Sequence, residues 1–182
     1  SEDAAQPPDA AVALDSGQPD TWNSPATPFS QGSHRMRIAS TISRTTCWGS
    51  LSGMESAFSG LTPGDLGLRE GPVLVSGLDH THVSLRGDAI ESSFGAAEVV
   101  LTKGGGSGTP PGVIPDDVWF WAAGRREAGG PLSTILVAIA VQAFETSVRG
   151  DGFDGSVDFQ YADPNLEDSV CAIGFDTVFQ KD

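Results

Sequence analysis

Apolar and polar side chains alternate along much of this chain with the two-residue period of a half-buried strand. Met36, Ile38 and Ile42 take one face against Arg37, Ala39, Thr41 and Ser43 on the other. Val157, Phe159 and Tyr161 alternate with Asp158, Gln160 and Ala162, and Cys171, Ile173 and Phe175 share one face of a final strand over 169–179. Ile135, Val137, Ile139 and Val141 alternate with Leu136, Ala138, Ala140 and Gln142. That pattern predicts a strand buried on one face and tightly packed on the other, because β-branched residues fit a pleated surface better than a helix. Further strands are expected at Val73-Leu74-Val75, over 97–101, and at Val118-Trp119-Phe120-Trp121-Ala122, with both Trp on one face. Ser52 and Glu55 have capping-box spacing ahead of a short helix through Met54, Ala57 and Phe58.

The punctuation between these runs fits the same class. Gly occurs 23 times and Pro 12 times, and together they break nearly every apolar run. About eight strands with turns at short intervals predict an all-β domain, an antiparallel β-sandwich of jelly-roll type, over residues 34–182. Residues 1–33 read as an extended arm instead. They hold five prolines, five acids and no Lys or Arg, a composition without the apolar surface to fold alone. The run Ala11-Val12-Ala13-Leu14, Trp22 and Phe29 are its candidate anchors on another surface.

One pattern occurs twice. Ser84-Leu85-Arg86-Gly87-Asp88 and Ser147-Val148-Arg149-Gly150-Asp151 each continue through a small residue, an apolar residue, an acid and a small residue to Ser. The pattern predicts two hairpins, with Gly in the first central position supplying the positive φ of a type II′ turn. Arg-Gly-Asp is also an adhesion tripeptide read by integrin-type receptors. Arg86, Gly87, Asp88, Arg149, Gly150 and Asp151 are therefore candidate binding residues, although a tight turn with a charged rim is the simpler account of them. Trp119 and Trp121 are candidates for a sugar-stacking platform, or else for core.

Charge narrows the functions. A net charge of −14 leaves little to neutralise phosphates, so direct nucleic-acid binding is not expected. No segment reaches the roughly 18 apolar residues of a helical membrane span. No basic region followed by an apolar run opens the chain, so no signal peptide is expected within it; a trimmed Met or a removed leader would account for Ser1. Cys47 and Cys171 lack metal-site spacing and form a candidate disulfide. Asp151, Asp154 and Asp158, interleaved with glycines, could gather oxygen ligands for calcium, though not at EF-hand spacing. His80 and His82 could face one way on a strand, without a third ligand nearby. The glycine-rich stretch over 103–112 lacks the Lys-Ser/Thr ending of a phosphate loop. No Gly-x-Ser-x-Gly elbow or cysteine-nucleophile signature occurs, and no two acids are marked as a catalytic pair, so the chain is not read as an enzyme.

The layout, a polar arm of about thirty residues before one β-sandwich, is like that of small viral coat proteins, an analogy at the level of fold. It implies an extracellular, virion or cell-surface subunit that assembles with other copies or sister subunits through residues 1–33, the arm adding a strand to a neighbour's sheet. The competing expectation is a secreted module that binds a glycan or receptor through its turns.

Overall fold

A computed structural model describes residues 27–106, 114–128, 135–163, 165 and 167–182. Nine strands form one sheet: β1 (Gly32–Ile38), β2 (Arg44–Trp48), β3 (Gly71–Asp79), β4 (His82–Arg86), β5 (Glu98–Lys103), β6 (Val118–Ala128), β7 (Ile135–Phe144), β8 (Gly152–Ala162) and β9 (Val170–Lys181). From β3 to β9 each strand pairs antiparallel with the next, and β1 lies between β3 and β9. The sheet thus closes on itself as an eight-stranded antiparallel barrel, with β2 as the extra strand.

The closure overturns the expected sandwich and jelly roll. Both architectures need the same alternation and the same turns. They differ in whether the first strand pairs with the last. Here His34 lies opposite Lys181 and Ile38 opposite Thr177, so β1 has partners on both sides. Closing the ring removes edges that an open sheet would have to protect.

The inward residues fill the barrel. Trp119, Phe153, Phe159, Tyr161, Phe175 and Phe179 are essentially inaccessible, as are Met36, Leu85, Leu101 and Ile139. Phe153 stacks on Phe179 with ring centroids 4.9 Å apart. In eight-stranded barrels the interior is about wide enough for side chains alone to occupy it.

Each end of the barrel is plugged by chain lying outside the strands. At the end where β6 and β8 begin, Phe29 packs its ring against Trp119 and Phe153 and is 2% exposed. Phe29 and the start of β1 at Gly32 both fall inside the stretch read from sequence as an arm. Residues 1–26, including Trp22 and the 11–14 run, lie outside the described residues. His34 fastens this end: it is fully buried, with Nδ1 2.9 Å from the Gly32 carbonyl and Nε2 3.0 Å from Ser30 Oγ. A neutral ring satisfies both contacts, Nδ1–H donating to the carbonyl and Nε2 accepting from the hydroxyl.

The opposite end is covered by the excursion between β1 and β3. It carries β2 and three 3-10 turns, Gly49–Leu51, Glu55–Phe58 and Gly64–Leu66. Leu51, Phe58 and Leu68 are buried there, and the Phe58 ring lies 5.4 Å from that of Tyr161. The expected capping box does not form. Ser52 makes no side-chain cap, and Glu55 Oε1 instead accepts the Cys47 backbone N–H at 3.3 Å. Cys47 and Cys171 face each other across β2 and β9 and form a disulfide.

Two predictions follow from these plugs. By the chain-entropy argument, a crosslink of this sequence separation (124 residues) stabilises by about 5 kcal/mol. The Cys47→Ala/Cys171→Ala chain should lose about that much in urea unfolding, and an unchanged midpoint would remove the crosslink from the stability account. Burial holds the His34 pKa below its ordinary value of 6.5. The unfolded chain therefore takes up a proton that the folded chain refuses. Stability should be intact above about pH 6.5 and decline as pH falls towards the depressed folded value. The decline should be absent in His34→Gln; equal pH profiles for the two proteins would contradict this role.

Candidate functional site

The barrel's chemistry lies on its outer surface. Outward residues fall in rows across the strands because paired residues share a face. One row runs Ala122 on β6, Ala140 on β7, Asp158 on β8, Gly174 on β9 and Arg44 on β2. Arg44 reaches over Gly174 to Asp158, Nη2 to Oδ1 3.4 Å, while its Nη1 pairs with Asp176. Glycine at 174 is required for this approach. A Cβ there would lie 2.2 Å from Asp158 Oδ1 and 2.7 Å from Arg44 Nη2.

Asp158 accepts two more hydrogen bonds through Oδ2, from Gln142 Nε2 and Ser156 Oγ, each at 2.8 Å. Burial pushes its pKa above the ordinary aspartate value, and these bonds together with Arg44 offset part of that shift. Burial also works against the Arg44 charge, but the hydrogen bond to Asp176 and the field of Asp158 outweigh it and raise its pKa. The network locks the start of β2 to the middle of β8 and β9 on the outer face. It is a satisfied polar cluster, and a half-buried acid so engaged is a fastening rather than a free base.

Beside this network lies an uncharged field. Ala138, Ala140 and Phe144 face outward on β7, next to Val118, Phe120 and Ala122 on β6. Their inward neighbours on β7, Ile139, Val141 and Ala143, are buried. Apart from Gln142, which donates to Asp158, β7 is therefore apolar on its outer face as well as its inner one, a pattern found where both faces of a sheet are covered.

The sequence-predicted binding residues scatter over the barrel. The first Arg-Gly-Asp makes no hairpin. β4 ends at Arg86, Gly87 adopts φ +132°, and helix α1 begins at once (Asp88–Phe94). A Cβ on Gly87 would meet the Pro72 carbonyl at 2.7 Å, so glycine serves close approach here. Ala89, Ile90, Ser93 and Phe94 turn inward, which is the helical period that the strand-like reading missed. Arg86 pairs with Glu98 at 3.2 Å, and Asp88 is exposed.

The second copy, at the opposite end of the barrel, is a tight turn closed by paired bonds between Arg149 and Gly152. The positive φ belongs to Gly152 rather than Gly150, so the expected type II′ geometry is absent. Arg149 pairs with Asp151 at 3.0 Å and with Asp154 at 2.9 Å. Arginine and aspartate of this motif neutralise each other.

Asp151 and Asp154 thus flank Arg149, while Asp158 belongs to the Arg44 network. The three expected calcium ligands are not brought together, and no cluster of three metal-ligating side chains occurs among the described residues. His82 Nδ1 lies 2.8 Å from Asp79 Oδ1, which also accepts the Thr81 N–H. That backbone bond, with His82 beside it, holds the Asp79 pKa down at about 2.

Trp119 points into the barrel, wholly buried, its Nε1–H donating to Glu145 Oε2 at 3.1 Å. It presents no ring face to a sugar. Trp121 is half-buried and meets Phe94 edge-on at 5.9 Å. This contact lies where β5 and β6 pair only at Thr102–Phe120 and Lys103–Trp119, and α1 fills the thinned wall. A cavity of about 270 Å³ beside it, between Leu66, Ser93, Phe94, Ala123 and Ile139, is lined by no titratable group.

Sequence reading missed Arg44, Asp158 as a network member, Asp176, Gln142 and Ser156. The available signal was Gly174 inside a strongly patterned strand, since an isolated strand glycine marks a close approach. Gly174→Ala should separate Arg44 from Asp158 and cost about 1–2 kcal/mol in chemical unfolding. The loss should shrink in an Asp158→Ala background; an equal loss in both backgrounds would place the strain elsewhere. No helix of the described residues is long and apolar enough to cross a membrane. Comparison of the chain with protein-family models, with curated proteins and with solved structures gives no match.

Proposed function

We propose that this protein is a structural, self-associating subunit that works outside the cytosol and meets other copies of itself through the outer face of β6 and β7. One observation carries the reading: the outer face of β7 is uncharged and, apart from Gln142, apolar, and the barrel's own core covers only the inner face. In a chain of net charge −14, two copies repel over most of their surface. A face of Ala138, Ala140, Phe144, Phe120 and Val118 is where contact meets least repulsion and removes apolar area from water. Small side chains also let two sheets approach closely.

The disulfide supports a site of action in an oxidising compartment, as on a cell surface or in a particle shell. The barrel interior is occupied by side chains, which moves the interest of the molecule to its outside. A strand-adding arm has limited room. β2 is the strand at the end of the sheet order, five residues long, and Glu55 already takes the Cys47 N–H.

Sedimentation and light scattering on the full chain test the reading. The expected mass is a multiple of 18.8 kDa, and it should fall in Ala140→Arg, whose charge would be trapped in the interface. A full chain that stays monomeric at every concentration reached would refute self-association. An Ala140→Arg chain that assembles normally would move the interface off β7.

A further inference from the structure

The ring order places β3 opposite β7, and the outer surface there differs from the rest of the barrel. Leu74 and Leu78, both outward on β3, are 44% and 49% exposed. On the adjoining β1, Arg35 and Arg37 point outward and are exposed. Neither guanidinium has a carboxylate partner among the described residues; Arg37 donates only to Gln180 Oε1, at 3.3 Å. A groove of about 380 Å³ runs across this face, lined by Pro72, Leu74, Arg86, Gly87, Asp88 and Asp182. Exposed Leu74 diagonal to Arg35, with Leu78 further along the same strand, in a chain where acids outnumber bases 24 to 10, is surface that asks for a partner.

The chain itself contains a segment of matching chemistry. Residues 1–26 carry five acids and no Lys or Arg. Asp9 and Asp15 enclose Ala10, Ala11, Val12, Ala13 and Leu14, an apolar tract with an acid at either end. Such a tract suits a surface where leucines adjoin arginines. From the self-association reading above, we infer that residues 1–26 of one copy dock on the β1–β3 face of a neighbouring copy. The apolar tract covers Leu74 and Leu78 along β3, and the acid at one of its ends answers Arg35 and Arg37, which lie together beyond Leu74.

Recognition here runs through side chains. β1 is paired on both sides and β3 as far as Val75; beyond it the Gly77 N–H is already taken by Gln31 Oε1, which leaves little free edge to extend. Asp88 and Asp182 in the groove set the direction, since they repel the segment's acids and leave the arginine side as the place for them. Because this face and the β7 face lie on opposite sides of the barrel, each subunit can hold two different neighbours. That arrangement builds extended shells or filaments rather than closed dimers.

A charge exchange in the full chain tests the docking. Arg35→Glu/Arg37→Glu lies on exposed positions and should weaken association about tenfold or more. Adding Asp9→Lys/Asp15→Lys to that protein should restore most of the loss, a rescue that a misfolded barrel would not show. Association unaffected by the arginine reversal, with Ala140→Arg still dissociating the protein, would overturn the docking and leave the proposed function standing. Loss without rescue would overturn it equally. A wild-type chain that is monomeric throughout would overturn both.

Discussion

β9 hydrogen-bonds to β8 along one side from Val170 to Gln180, and shares its other side between β2 and β1. The rest of the structure depends on that division. Its second half receives β1 and closes the ring. Its first half receives β2, and with it the disulfide and the Arg44 network that hold the excursion over one end of the barrel. Were β9 a strand of average length, about 5–6 residues, it could serve only one of these partners. Its 12 residues let one strand close the wall and tie down the cover.

Closure also decides where function can sit. An open sandwich offers edges and loops at both ends. This barrel offers a packed interior, two plugged ends and an outer wall. The wall is chemically uneven: uncharged over 118–124 of β6 and 138–144 of β7, fastened by paired charges on β8, β9 and β2, and apolar on β3 beside arginines of β1 that have no carboxylate partner among the described residues. The proposed association uses the first and last of these surfaces because the middle one is already satisfied by its own chain.

The strands were legible in the sequence because alternation is a local property. Val157, Phe159 and Tyr161 on β8, and Cys171, Ile173 and Phe175 on β9, are buried as their period requires. On β7 the inward Ile139 and Val141 are buried as expected, while Ala138 and Ala140 on the face expected to be tightly packed are only partly covered. Closure was not legible, because β1 meets β9 across nearly the whole chain and no local pattern records a pairing of that separation. The two Arg-Gly-Asp segments illustrate the same limit. Their shared residues reach a helix start in one case and a turn in the other, decided by what packs beneath: Ile90 and Phe94 enter the core behind Gly87, whereas Gly152 lies against the Phe179 backbone. Phe29, read as part of an arm, instead plugs one end of the barrel against Trp119 and Phe153, a contact that no local pattern in the sequence records.

Nuclear Overhauser effects between backbone protons of facing strands test closure most directly. The account predicts cross-strand contacts of β9 with both terminal partners in one molecule: Met36 with Phe179 on β1, and Thr46 with Ala172 on β2. Contacts of β1 with β3 alone, leaving the second half of β9 unpaired on that side, would contradict the barrel and return the chain to an open sheet.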